Sequence, residues 1–427
     1  MFFLYKVITN LFYPFLILLI YTRKIFKKED RSRYKEKIFI SSFNVKRNKK
    51  KKLFWFHAAS IGELRSILPV INKLSKDKRN LEFLITTVTL SSGKLAKEEI
   101  RKIKNVKHRF LPVDVDFLIK SFLDTWKPNA IFLVDSEIWP NIILNAKKRQ
   151  IPLAIINGRI SNKTFRRWNL VPSFRDQIFS SFNLALSSNK DTEKHLKLMN
   201  AKNVHFSGNI KFIGNASHKK INKKNKSFFD NKKFWLAVST HQSEEKLCLE
   251  THLKIKKFYE NSSTIIAPRH IDRMKEIKTL CETYGLKYQI LNKSDFLDKK
   301  KEIILINSFG ALNEFYKYTN SVFIGKSTIK KLENDSGQSP VDAAKFGCKI
   351  YHGPYISNFQ EIYNLLKSNK IAFEIKSSEH LAKSLIIDYK NSFRIGKKTS
   401  RIINRLGLKT LNSTIKHINN FLSNENI

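Results

Sequence analysis

Short β-rich apolar runs alternate with amphipathic helical stretches along almost the whole chain, and few folds accommodate that alternation. Leu53–His57, Phe83–Thr87, Ala130–Val134, Leu153–Asn157 and Leu184–Ser187 read as strands, with helices predicted from Gly62, near Lys94 and after Pro140. A second series follows at Phe234–Val238, Thr264–Ala267, Lys287–Leu291, Ile303–Ile306, Ser321–Ile324 and Lys349–Tyr351. Strands linked through helices run parallel, because the crossover returns the chain to the end of the sheet it left. The expectation is therefore an α/β protein with two doubly wound parallel sheets. Residues 214–233 are polar, lysine-rich and aperiodic, and read as a linker between a first domain, 40–213, and a second, 234–427. Ligands of open α/β sheets bind outside the C-terminal strand ends, so a cleft between two such domains is the expected site.

At 427 residues, 42% hydrophobic and 12% aromatic, the chain has enough apolar material for two cores. Its net charge of +44 calls for an anionic partner, either nucleic acid or a membrane surface. Residues 2–22 form a nearly uncharged run broken by Lys6, Asn10 and Pro14, followed by Arg23, Lys24, Lys27 and Lys28. That is about the length needed to cross a bilayer. A secretory signal carries its positive charge before the apolar core, so residues 1–28 are expected to be an N-terminal membrane-anchor helix with a basic flank, the bulk of the protein remaining cytoplasmic. A buried or interfacial helix is the alternative. No basic cluster interleaved with stacking aromatics is evident, and nucleic acid is not an expected partner. Cys248, Cys281 and Cys348 lack any paired spacing and suggest neither zinc nor a disulfide framework.

Polar clusters stand where the predicted strands end. His57-Ala58-Ala59-Ser60-Ile61-Gly62-Glu63 places Glu63 in the first turn of a helix, with Ser60 as its cap, a position expected to keep the acid ionised and able to accept a proton. Asp135-Ser136-Glu137 precedes Trp139-Pro140, and Asn157–Ser161 and Gly208–Lys211 are similar clusters. Asp114-Val115-Asp116 has the form of a metal-binding pair but lacks a third ligand nearby, so no metal is expected. In the second domain the clusters are Ser239–Glu245, Pro268-Arg269-His270 and Ser308–Ala311; Arg269 is a permanent cation suited to a phosphate. Gly337–Asp342 opens a helix that Gly347 closes, with Ser339 expected as N-cap, Pro340 at the first helical position and Asp342 as the capping acid. Such a helix start favours an anionic ligand. Gly325-Lys326-Ser327-Thr328 is not a Walker loop, because Asn320 stands where that motif needs glycine. The set describes a nucleotide pocket without magnesium.

The ordered motifs HAASIGE, DSEIWPN, NGRIS, GNIKF, STHQSEE, APRH, SFGAL, SGQSPVDAAKFG and GPYISNF resemble those of the 3-deoxy-D-manno-octulosonic acid (Kdo) transferases. The resemblance implies a GT-B glycosyltransferase with two Rossmann-like domains, the first for the acceptor and the second for CMP-Kdo. It implies inverting, metal-independent transfer of Kdo to the lipid A precursor at the cytoplasmic side of an anionic inner membrane, with no cofactor beyond the donor substrate. By the same resemblance Glu63 is the general base, Glu137 and Lys211 support the transition state, and CMP contacts fall on Pro268, Arg269, Phe309, Gly310, Ala311, Ser339, Pro340, Val341 and Asp342. The chain departs from the family pattern at Asp135, usually glutamate, at Phe309-Gly310-Ala311, usually Met-Gly-Glu, and at Asp342, usually glutamate. Another membrane-associated GT-B enzyme with a different nucleotide sugar stays open as an alternative, with a basic nucleic-acid-binding protein more remote.

Overall fold

The computed structural model describes residues 1–43, 47, 50–77, 80–101, 103, 105–213, 223–292, 295–308, 312–391 and 396–427. The chain divides into two compact units, residues 1–214 together with 406–427, and residues 215–405.

The sheet of the first unit contains β1 (Lys52–His57), β2 (Leu81–Thr87), β3 (Val106–Phe110), β4 (Ala130–Val134), β5 (Leu153–Gly158), β6 (Leu184–Ser187) and β7 (Val204–Phe206), all parallel, in the order β3-β2-β1-β4-β5-β6-β7. Helices cover both faces, which is why β1 reads as an unbroken apolar run. Alternate residues point to opposite faces: Leu53 and Trp55 join one core cluster while Phe54 and Phe56 join the other. The second unit repeats the plan with β8 (Lys233–Thr240), β9 (Ser262–Pro268), β10 (Tyr288–Leu291), β11 (Ile303–Ile306), β12 (Ser321–Ile324), β13 (Lys349–His352) and β14 (Ala372–Glu374), in the parallel order β10-β11-β9-β8-β12-β13-β14.

Both expected domain boundaries move. The last helix, Gly396–Asn424, does not end with the second unit: its Ile415, Ile418, Phe421 and Leu422 lie in the core of the first, where Phe421 meets Phe132 edge-on at 5.9 Å. An apolar stripe on a helix is satisfied by any sheet face left uncovered, and here the first sheet takes it. The expected linker is also shorter than 214–233. Residues 214–222 lie outside the described residues, but Lys223–Asn231 is helical, with Phe228 buried and Phe229 stacked on Tyr318 at 4.7 Å.

The N-terminal run is not one helix. It forms α1 (Phe2–Leu11) and α2 (Tyr13–Ile25), bent by 51° at Phe12 with Pro14 in the first turn of α2. A proline there lacks the N–H that would continue the α1 ladder and crowds the carbonyl four residues back. No single helix among the described residues is long and apolar enough to cross a membrane.

Candidate active site

The chain leaves β1 through α3 (Ile61–Asp77) to build β2 and β3 on one side, then returns to β4 on the other. The strand order therefore reverses between β1 and β4, and the loops diverging there open a crevice at the strand ends. His57 ends β1 and is fully buried. In the first turn of α3, Glu63 accepts the Ala59 N–H on Oε2 at 2.8 Å and the Ser60 hydroxyl on Oε1 at 2.7 Å. This is close to the capping box that the sequence suggested, with the reciprocal bond drawn from Ala59.

The electrostatics differ from the expectation that a helix start holds Glu63 at an ordinary acidity. Burial pushes its carboxyl up; the Ser60 bond opposes this, but the charges of Glu137 and Asp135 add to the rise, and the net shift is upward. Glu137 moves the other way. Its own burial acts to raise it, and is outweighed by the bond and charge of His57 and by the Trp139 indole N–H, which donates at 2.7 Å. His57 Nε2 lies 3.1 Å from Glu137 Oε2, while Nδ1 lies 2.9 Å from the Thr86 hydroxyl, which itself receives the Trp55 indole N–H at 2.8 Å. Nδ1 also lies 3.2 Å from the Thr86 carbonyl oxygen, and the Nε2 edge of the ring faces the Glu137 carboxylate, which can only accept. The two glutamates are thus pushed apart in acidity, one toward holding a proton and one toward losing it.

Asp135 and Asn157 both adopt left-handed backbone, at φ 64° and 59°, at the ends of adjacent strands β4 and β5. Such backbone is rare outside glycine and concentrates at functional sites. Asn157 Nδ2 donates to Asp135 Oδ1 at 3.2 Å, its own Oδ1 accepts the Ile210 N–H at 3.0 Å, and Lys211 Nζ reaches Asp135 Oδ2 at 2.8 Å. Glu63, Glu137 and Lys211 therefore meet at one place, with Lys211 engaged by Asp135. The Asp114–Asp116 pair serves as scaffold: Asp114 accepts the Asn141 and Ile142 N–H groups at the start of the Pro140–Lys148 helix, and Asp116 pairs with Lys6 and Lys120. No group of three or more metal-ligating side chains occurs among the described residues.

The second unit reverses its strand order between β8 and β12, and that crevice is filled from within. Glu244, fully buried, accepts the N–H groups of His241 (3.0 Å), Lys326 (2.7 Å), Ser327 (2.9 Å) and Thr328 (3.1 Å) together with the Thr328 hydroxyl (2.9 Å). A carboxylate of the chain itself thus occupies the donors of the loop that the sequence showed not to be a Walker loop. Gly325 is required here, since a Cβ would stand 2.6 Å from the Ser239 carbonyl oxygen and 2.7 Å from Glu244. Pro268 ends β9, and Arg269 and His270 beyond it are exposed, with His270 edge-on to His241 at 5.6 Å. Phe309, Gly310 and Ala311 lie outside the described residues.

The helix after Gly337 departs from its expected start. Val341–Lys345 has Pro340 as N-cap, and Ser339 Oγ receives only a long 3.4 Å bond from the Val341 N–H, so Ser339 is not the cap and Asp342 completes no box. With five residues this helix has little dipole to offer, whereas the exposed Ser339 and Asp342 side chains stay available as polar contacts. Gly347, at φ 81°, closes it as expected.

Comparison with known proteins settles the family. A family model described as 3-Deoxy-D-manno-octulosonic-acid transferase (kdotransferase) matches residues 32–213. The 3-deoxy-D-manno-octulosonic acid transferase of Rickettsia bellii is 30% identical over 397 residues, 91% of each chain. The chain belongs to the Kdo transferases. The Aquifex aeolicus enzyme is 26% identical over 350 residues, 82% of this chain and 90% of its own. Among solved structures, UDP-GlcNAc 2-epimerase from Neisseria meningitidis (TM-score 0.57, 13% identity, 88% of this chain and 100% of that one) and a glycosyltransferase from Rickettsia africae (TM-score 0.55, 12% identity, 87% and 98%) share the GT-B-like fold of two parallel sheets. The transferase is thus a glycosyltransferase whose acids gather at the β1/β4 strand ends.

Sequence reasoning passed over several groups in this transferase. His57 stood inside the HAASIGE motif, and a histidine ending a fully apolar strand was the available signal. Trp139 stood beside the acids of the DSEIWPN motif and Asn157 opened the Asn157–Ser161 cluster, but neither was given a role. Glu244 lay in the STHQSEE cluster, where nothing marked its carboxylate as the partner of a loop more than eighty residues later.

Proposed function

We propose that this transferase moves Kdo from CMP-Kdo to the lipid A precursor (lipid IVA), with inversion at the anomeric carbon and without a metal ion or cofactor. Glu63 is the general base. Its carboxylate takes the proton of a primary sugar hydroxyl as that oxygen bonds to the anomeric carbon of Kdo, and the bond from that carbon to the CMP phosphate oxygen breaks. Glu137, kept ionised by His57 and Trp139, stands by the positive charge that grows on the sugar. Lys211 balances Asp135 and so limits how far the surrounding acids raise Glu63. On the nucleotide side Arg269 faces the departing phosphate, and Pro268, Phe309, Gly310, Ala311, Ser339, Pro340, Val341 and Asp342 complete the CMP contacts, as the motif resemblance implies.

The observation that carries this reading is the pair of half-buried glutamates shifted in opposite directions at the β1/β4 strand ends. It gives one acid that holds a proton more readily than an ordinary glutamate and a second that stays charged. The acceptor is a membrane lipid, and the protein works at the anionic cytoplasmic face of the inner membrane; the basic residues that follow α2 support that location.

Incubation of the full chain with CMP-Kdo and tetraacylated lipid A precursor, without added metal and with EDTA in a parallel sample, is read by mass. Lipid heavier by one or more Kdo units in both samples is the expected result. No product from folded protein with CMP-Kdo, but product with a UDP-sugar, would replace the donor and point to the departures at Phe309–Ala311 and Asp342.

A further inference from the structure

The two faces of the N-terminal helix pair are occupied very differently. Along one face, Tyr5 donates its hydroxyl to Asp114 (2.9 Å), Lys6 pairs with Asp116 (3.1 Å), Asn141 donates to the Thr9 hydroxyl (3.3 Å) and Tyr13 donates to the Ile38 carbonyl (2.5 Å). Further along the same face Ile20 packs with Tyr34 and Ile38. The opposite face is apolar and exposed: Phe3 (80%), Leu4, Leu11 (75%), Phe15, Leu18 and Ile25 (75%). Their spacing is that of one helical side continued across the bend. Soluble proteins rarely leave a contiguous apolar surface of this extent uncovered.

We infer that α1 and α2 lie in the plane of an anionic phospholipid leaflet, fixed to the first unit by their inner face, and do not cross the bilayer. To span, α1 would have to surrender the Tyr5, Lys6 and Thr9 bonds and carry the Lys6 charge into hydrocarbon, a change that costs several kcal/mol. Lying flat keeps those bonds and places only the exposed apolar face among the acyl chains. The occupant is identified by charge as well as by apolarity. Lys27, Lys28, Arg31 and Lys35 are exposed directly after α2. A second exposed element adjoins α1: Tyr5 and Trp168 both ring-pack on Phe174, and the turn beyond Trp168 presents Leu170 (80% exposed) beside the exposed Arg166 and Arg167. Apolar side chains flanked by cations match an anionic lipid surface, whose acyl chains take the apolar groups and whose headgroup phosphates take the cations. The inference rests on the proposal that the acceptor is a membrane lipid, and adds how the enzyme is seated on that membrane.

The native cysteines are all buried, so a cysteine introduced at an exposed position can be labelled alone. Phe3→Cys, Leu11→Cys and Leu18→Cys, each in the full chain, would carry an environment-sensitive fluorophore bound to phosphatidylglycerol–phosphatidylcholine vesicles, with depth read by quenchers placed at known positions in the lipid. All three sites at one shallow depth, about 5–10 Å into the headgroup–acyl boundary, is the expected result. Leu11 at the midplane with both ends shallow would overturn the inference, as would failure of the full chain to bind vesicles. Replacing Lys27 and Lys28 together by Gln should weaken binding to the anionic vesicles by roughly 25-fold, about fivefold per charge, and leave binding to pure phosphatidylcholine unchanged; equal loss on both lipids would also count against it. Equal shallow depths in a protein that transfers no Kdo would sink the lipid-acceptor proposal and leave the seating intact, and transfer by a protein with Leu11 at the midplane would do the reverse.

Discussion

The strand-order reversals of the two units have the same topology and opposite contents. At β1/β4 the first unit gathers Glu63, Glu137 and Asp135 with only partial compensation, so that the pKa of Glu63 is driven up while His57 and Trp139 hold that of Glu137 down. At β8/β12 the second unit sets a single buried carboxylate, Glu244, into a loop that meets it with four backbone N–H groups and a hydroxyl. A fully satisfied carboxylate stabilises a loop and has nothing left to give to a substrate; acids short of partners do chemistry. On the proposed reading, topologically equivalent places thus hold the reacting acids in one unit and a satisfied structural carboxylate in the other. The groups that the proposal assigns to the nucleotide are different ones: Arg269, Ser339 and Asp342 are exposed, and Pro340 and Val341 are buried.

Substitutions at the two crevices break that contrast in different observables. Glu63→Gln removes the base and keeps the shape, so turnover should fall about a thousandfold while calorimetric CMP-Kdo binding stays near that of the wild type; loss of binding in step with turnover would make Glu63 a structural residue like Glu244. Glu244→Leu strands several buried donors, and the second unit should lose about 3 kcal/mol in urea unfolding. Unchanged stability would mean that the loop needs no plug. His57→Phe removes the donor that holds Glu137 ionised; kcat should drop about tenfold with KM for CMP-Kdo unchanged, and His57→Gln, which restores a donor, should recover part of the loss. If the glutamine variant is as slow as the phenylalanine one, His57 acts through packing alone.

The central strands were legible because both their faces are buried and their residues are almost uniformly apolar, as in Leu53–Phe56 and Ile303–Ile306. The strands that escaped notice are edge or near-edge elements. Val106–Phe110 carries Lys107, His108 and Arg109, and Val204–Phe206 and Ala372–Glu374 are three residues each and partly exposed, so neither periodicity nor composition marks them. The final helix shows its apolar stripe in the sequence, but a stripe does not say which sheet it will cover. Lys6 and Pro14 interrupt the apolar run in the sequence, yet a single anchor helix was the expectation; that Asp114 and Asp116 receive the broken run depends on contacts 109 and 110 residues away. The site followed the same division. Glu63 and Glu137 announced themselves as acids at strand ends, whereas the links between Lys211 and Asp135 and between His57 and Glu137 join residues 76 and 80 apart, and only the strand order brings them together.

The pH dependence of Kdo transfer, measured at saturating donor for the wild type and for Glu137→Gln, tests the central claim most directly. As the proposed base Glu63 acts ionised, and its raised pKa keeps it protonated at pH values where an ordinary glutamate is already charged, so the rate should climb with pH through a limb displaced upward from the usual carboxylate range. Glu137→Gln deletes a negative charge that makes Glu63 harder to ionise, and the limb should move to lower pH even as the maximum rate falls. A wild-type limb at the ordinary glutamate position, or one that stays in place when Glu137 is neutralised, would contradict the assignment of Glu63 as a base tuned by its neighbouring acid.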